Sequence, residues 1–180
     1  MRKIPIEKRL SAIKKNKALL EKALDVSLKI FDNQVAIESR KSSIVEYLTL
    51  KILDAISLGF DVNDALQLKE QDFILKKIDI KTLAKDSRVH VIIGRIIGRQ
   101  GRTKHLLEKL TECAVVVSGH VVGIIGRTDN VDVASHAICA LIRGSPQSKV
   151  YGYLERSRGR LRELAEEDVE KFIEKKPKKK

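Results

Sequence analysis

Residues 94–104 read "GRIIGRQGRTK", with Gly98 and Gly101 three apart behind an apolar pair and ahead of Arg102 and Lys104. A glycine turn dressed in positive charge suits a phosphate, and its neighbours limit which one. A Walker loop, G-x-x-x-x-G-K-[ST], needs glycine at 96 and lysine at 102, where Ile96 and Arg102 stand. A dinucleotide fingerprint, G-x-G-x-x-G, needs glycine at 96 as well. Both fail. What remains is a bare GxxG joining two short helices. With no side chain at either glycine, the backbone can come close to a ligand, and the free N–H groups of the next helix face an anion. Arg99, Arg102 and Lys104 would then meet successive phosphates, which suits a sugar-phosphate chain better than a compact triphosphate.

The flanking elements follow from period and punctuation. "FILKKIDI" (Phe73–Ile80) is short and rich in β-branched residues and predicts a strand. Asp86 or Ser87 stands where a helix cap is needed, and "RVHVIIGRII" carries that helix to the turn. Leu106, Leu107 and Leu110 recur at helical spacing after it. "CAVVVSGHVVGIIG" predicts two strands joined at Ser118-Gly119-His120. Val131, Ala134, Ala137, Ile138, Leu141 and Ile142 mark one face of a third helix, stopped by Gly144 and Pro146.

The first half runs through the same order. "RKIPI" predicts a strand, Ala18–Leu24 a helix, and "VSLKIFDNQVAIES" a hairpin around Asp32-Asn33. Ile44, Leu48, Ile52, Ala55 and Ile56 then share one face of a long helix. Val26–Ile37 overlays Ala114–Ile125 at a constant offset of 88, an internal duplication of domain size. In the first copy "SAIKKNKALL" replaces the glycine turn and contains no glycine. The division expected is 1–70, a first unit without GxxG; 71–145, a second unit carrying it; 146–166, a C-terminal helix; and 167–180, a disordered basic tail. Within the C-terminal helix Val150, Leu154, Leu161, Leu164 and Ala165 form the apolar stripe, with Arg156 and Arg160 to one side and Arg158 and Arg162 to the other.

Charge narrows the partner. The chain of 180 residues has 36 Lys+Arg against 24 Asp+Glu, a formal net charge of +12. Residues 1–80 hold 15 basic and 12 acidic groups, while residues 81–180 hold 21 and 12, so the excess sits with the glycine turn. Nucleic acid is the leading anionic partner. Aromatics are 4%, which calls for an aliphatic core and excludes base stacking as the main source of affinity. Cys113 and Cys139 match no disulfide framework and are read as two buried thiols in a reducing, cytoplasmic setting. No apolar run is long enough to cross a bilayer, so no membrane role is expected. The four histidines lack metal-ligand spacing, and no nucleophile–base pair or carboxylate pair stands out. No metal, cofactor or catalytic residue is expected. Gly94 is read as close packing within its helix.

The order strand–helix–GxxG–helix–strand–strand–helix, centred on "IIGRQGRTKHLLE", resembles a type I KH domain, the module whose GxxG loop clamps single-stranded nucleotides. "SLGFDVNDALQL" (Ser57–Leu68), "GRIIGRQGRTK" and "RGSPQSKVYGYLE" (Arg143–Glu155) are together similar to the two-KH ribosome-assembly proteins called partner-of-NOB or Dim proteins, in their short archaeal form. The resemblance implies an α/β (α+β) fold of two tandem type I KH-like domains (βααββα), each a three-stranded sheet packed on helices. It implies binding to the 3′ region of small-subunit rRNA during its maturation, work beside a NOB-type endonuclease, and the alpha subunit of translation initiation factor 2 as a further candidate partner. The RNA-binding set expected is Arg95, Ile97, Gly98, Arg99, Gln100, Gly101, Arg102, Thr103 and Lys104 around the loop, His120 at the hairpin, and Lys149, Arg156 and Arg160 on the last helix. Ile96, Ile97, Leu106 and Val116 are candidates for an aliphatic groove floor. Gly98 and Gly101 are expected to accept aspartate without loss of the fold. The rivals are a KH-type accessory of translation initiation or RNA decay, and an adaptor whose main ligand is protein.

Overall fold

The computed structural model describes residues 2–5, 9–31, 34–39, 43–84 and 88–174. The first half comprises β1 (Arg2–Pro5), α1 (Leu10–Lys15), α2 (Lys17–Leu24), β2 (Val26–Ile30), β3 (Gln34–Ser39), α3 (Ser43–Leu58) and α4 (Val62–Leu66). The second comprises β4 (Phe73–Asp79), α5 (Ile80–Leu83), α6 (Val89–Ile97), α7 (Arg102–Thr111), β5 (Ala114–Ser118), β6 (Val121–Arg127) and α8 (Thr128–Ile142), and α9 (Gln147–Glu174) follows. Both sheets are antiparallel with three strands and the same spatial order, β1-β3-β2 and β4-β6-β5. The architecture is mixed α and β, and the two sheets share one strand order.

Strand periodicity explains how the layers stack. In β2, Val26 and Leu28 are buried while Ser27 and Lys29 face out, so this edge strand has one covered face. The central strand of the second sheet differs: residues 122–126 of β6 are all buried, because both its faces are covered. Val122 and Ile124 point into a core built with α6, α7, α8 and α9. Ile125 points the other way, into the core of the first half, joined there by the half-buried Phe73, Leu75, Ala114 and Val116. A Cβ on Gly123 would lie 2.5 Å from Leu58 Cδ2 and 2.7 Å from Phe60 Cε2. The two halves therefore share a core, with the helices of the first lying against the back of the second sheet.

Several expectations are corrected. Ile80 leaves the strand and starts α5, a short helix that the sequence reading lacked. Its cap is Asp79, whose carboxylate accepts from the Lys81 N–H at 2.8 Å. Asp86 and Ser87, expected to cap the next helix, lie outside the described residues, as do Asp32 and Asn33 of the first hairpin. The last helix runs through Gly152 and Gly159 to Glu174, past the expected end at 166, so residues 167–174 of the expected tail are helical. Val150 and Leu154 of its apolar stripe are buried and Leu161 is half-buried; the side chains of Arg162, Leu164 and Ala165 lie outside the described set. Cys113 is buried, and its thiol is pushed up to about 11 chiefly by that burial, whereas Cys139 is only half-buried. Among the described residues no helix is long and apolar enough to cross a membrane.

The seam yields a stability test. Phe60 is 2% exposed and cannot swing aside, so Gly123→Ala overpacks the junction and should cost about 1–3 kcal/mol. Phe60→Ala should cost about 3–5 kcal/mol. In urea melts both variants should unfold in one transition at lower midpoint; separate transitions for the two halves would contradict a shared core.

Candidate nucleic-acid interface

The glycine corner is shaped by one side chain. Helix α6 ends where Gly98 adopts φ 75 and ψ 172, a region that only glycine enters at little cost, and Gln100 and Gly101 follow at φ 53 and φ 77. A Cβ on Gly98 would lie 2.8 Å from the Thr103 backbone nitrogen and would collide with the Thr103 side chain. Thr103 is itself 2% exposed, so it cannot yield. Its hydroxyl lies 2.8 Å from the Tyr151 hydroxyl and accepts from Gln147 Nε2 at 3.1 Å. Gln147 also donates to the Arg95 carbonyl at 3.2 Å, and Arg95 Nη2 donates to the Gly144 carbonyl at 3.2 Å. The start of α9 and the turn before it thus clamp both helices that flank the loop. This corrects the expectation for aspartate at the two glycines: a Cβ at Gly98 breaks the clamp, and at Gly101 a Cβ meets nothing within 4 Å but the φ of 77 strains any side chain.

Two of the expected RNA contacts are spent inside the chain. Thr103 holds the corner together, and Arg95 secures the 144–145 turn. Lys104 faces the seam instead of the loop: it lies 2.9 Å from Glu108, which accepts from the Val115 N–H at 3.0 Å. Both groups act on Asp64 of α4, whose carboxyl is raised by burial, then by Asp61 and Glu108, with Lys104 opposing.

The loop's free basic side chains gather elsewhere. Arg99, Arg102, His105 and Lys109 are exposed and rim a cavity of about 490 Å³, with Leu106, Gln147 and Tyr151 in its walls. None of its lining residues is acidic. No side chain caps α7, which starts at Gly101, so its first N–H groups remain available to an anion beside that basic rim. His105 and Lys109 were missed in the sequence, although Arg102, His105 and Lys109 fall on one helical face at i, i+3 and i+7.

Beyond the loop, α6 presents two flanks. Arg88, Val91 and Arg95 line a pocket against the end of α8. Gly94 lies off that flank and is exposed, and a Cβ there meets nothing within 4 Å. The close-packing explanation for Gly94 is therefore wrong: among the described residues nothing requires glycine there. Half-buried Ile93 and Ile97 neighbour it on the helix. Of the groove-floor candidates, Ile96 is fully buried in the core, Val116 packs toward the first half, and Leu106 lines the basic cavity, which leaves Ile97. His120 is exposed at the hairpin, its Nε2 3.8 Å from the Asp79 carboxylate.

Helix α9 divides the remaining candidates. Gln147 and Tyr151 lie on its loop side, and half-buried Arg158 shares that flank by helical spacing. Lys149 lines a different cavity, against α8, and Arg156 and Arg160 share its flank. The expected set is thus split between two surfaces.

A family model described as a eukaryotic-type KH-domain (KH-domain type I), for the second KH domain of Pno1, matches residues 74–159. A KH domain-containing protein of Methanocaldococcus jannaschii is 33% identical over 170 residues, covering 88% of this chain and 75% of that protein. The pre-rRNA-processing protein pno1 of Emericella nidulans is 34% identical over 113 residues, 61% of this chain and 44% of that one. The chain therefore spans three quarters of the first relative and under half of the second. Dim2p of Pyrococcus horikoshii, in a crystal structure with a/eIF2alpha and rRNA, superposes with a TM-score of 0.80 at 30% identity, covering 88% of this chain and 93% of that one. The match to the KH model begins in β4, so it reaches the second sheet and not the first.

The glycines are separable by stability alone. Gly94→Ala adds a methyl group to open space within a helix and should stabilise by about 0.5–1 kcal/mol. Gly98→Ala should destabilise by about 1–3 kcal/mol, from strain and the Thr103 collision together. Opposite shifts of the urea midpoint are the expected result.

Proposed function

Since the chain belongs to the Pno1/Dim2 family of KH-domain proteins, we propose that it binds single-stranded rRNA near the 3′ end of the small-subunit rRNA and works with the endonuclease that matures that end. The observation that carries the RNA reading is the corner at Gly98–Gly101, where an uncapped helix start lies beside Arg99, Arg102, His105 and Lys109 with no carboxylate in the cavity wall. One strand's phosphates run past the first N–H groups of α7 and these basic side chains. Its sugars and bases pass along α6 at Gly94 and Ile97, where the missing Cβ lets the backbone approach. Tertiary packing leaves few aromatic faces near that path, so preference among bases comes from edge hydrogen bonds and affinity from phosphates.

A relative is named for pre-rRNA processing and a solved relative is held with a/eIF2alpha and rRNA, which supports a role on rRNA, while the 3′ end and the nuclease are proposed from the sequence resemblance alone. The same complex supports the initiation-factor subunit as a partner of this chain. The first half acts as a second KH-like unit that has given up RNA. It has the same strand order as the second, and α1 and α2 run on through Asn16 where the second half has its loop. Exposed Leu19, Phe31, Ile44 and Tyr47 make it the half suited to protein partners. No step of this role requires catalysis, and the protein works in the cytoplasm as a binding and presenting factor.

Arg99→Glu with Arg102→Glu should weaken a single-stranded rRNA octamer at least tenfold in fluorescence anisotropy. The slope of log affinity against log salt should fall by roughly 1.4, about 0.7 for each lost phosphate contact. Gly94→Leu should weaken the same RNA about tenfold with no loss of thermal stability. Unchanged affinity in both variants would remove this corner from RNA binding.

A further inference from the structure

The three cations on the far side of α9 do not continue the loop's track. Lys149 lines a cavity of about 530 Å³ between α8 and α9, with Lys76 of β4, His136, Arg143 and Tyr153 around it. The loop cavity is lined from the opposite flank of α9 by Gln147 and Tyr151. Buried Val150, Leu154 and Ser157 fill the helix face between the two, packed on α7 and α8. A strand leaving the loop would have to pass over the outer side of α9 to reach Lys149.

The far cavity has the chemistry of an anion site. Lys76 is held at 3.0 Å by Asp132, but neither Arg143 nor Lys149 pairs with a carboxylate among the described residues. Both are exposed, and none of the lining residues is acidic. Arg156 and Arg160, one and two further turns along the same flank, extend the charge in a line away from the cavity. Its volume lies in the range of formed ligand sites rather than of packing defects. The half-buried ring of Tyr153 adds a flat apolar wall.

We infer that this cavity is a second RNA-backbone site, which takes the phosphates of a segment separate from the one at the glycine loop. On this arrangement α9 is a partition, and the protein holds two parts of one RNA on either side of it. The inference rests on the RNA reading above but concerns a different surface, so the two can fail separately.

The test uses the full chain and two RNAs: a single-stranded octamer, and the same octamer joined to a twelve-base-pair hairpin. Lys149→Glu with Arg156→Glu alters two exposed side chains on the far flank of α9 and spares the loop. The octamer affinity should stay within twofold of wild type, while the longer RNA should weaken about tenfold and its salt slope fall by between 1 and 2. Equal weakening of both RNAs would mean one continuous track and overturn the second site. So would no weakening of either. Arg99→Glu with Arg102→Glu is the comparison: if it spares the octamer, the loop reading fails, and the far site is still decided by the first pair. Circular dichroism melts matching wild type exclude misfolding as the cause.

Discussion

The hydroxyl of Thr103 sits where a side chain on residue 98 would be, and the loop's geometry depends on it. Buried under α9 and held by Gln147 and Tyr151, Thr103 fixes where α7 begins relative to the end of α6. Glycine at 98 is what lets the two helices close to that distance. The stretch Gly144 to Tyr151 and the GxxG loop are thus one structural unit. The first supplies the residues that shape the second. A hydrogen-bonded clamp of this kind keeps donors aimed before a ligand arrives, so less ordering remains to be done on binding.

That clamp needs a firm base, and the second sheet provides it by being covered on both faces. Gly123 and Ile125 of β6 meet Leu58, Phe60 and the helices of the first half, while Val122 and Ile124 anchor α6, α7 and α8. The duplicated half therefore has a structural use apart from any partner it contacts. It covers sheet surface that would otherwise be a large exposed apolar patch. Lys104 shows the consequence for the loop: a cation three residues past Gly101 is drawn to the seam by Glu108 and Asp64 and leaves the ligand side to Arg99, Arg102, His105 and Lys109.

Local pattern was enough for the elements. Period-two and helical apolar spacing gave both hairpins, the long helix of the first half and the helices around the loop, because these signals are set by each residue's near neighbours. The failed nucleotide motifs and the bare GxxG were legible for the same reason. The extra helix α5 was not, since Ile80 completes an apolar alternation and only the Asp79 cap turns the chain. The length of α9 was underestimated because the charged run from residue 167 reads as part of a basic tail, whereas the helix continues to Glu174.

The sequence by itself determined that this is a chain of mixed α and β structure, with its positive charge placed around a phosphate-sized glycine corner. Which cations serve that corner was decided only by tertiary structure. Thr103, Arg95 and Lys104 have the residue types of ligand contacts, yet partners distant in sequence draw them inward. Lys149 and Gln147 are two residues apart but lie on opposite flanks of α9. Helical spacing tells which residues share a face, but only the packing of α9 against α7 and α8 tells what each face meets.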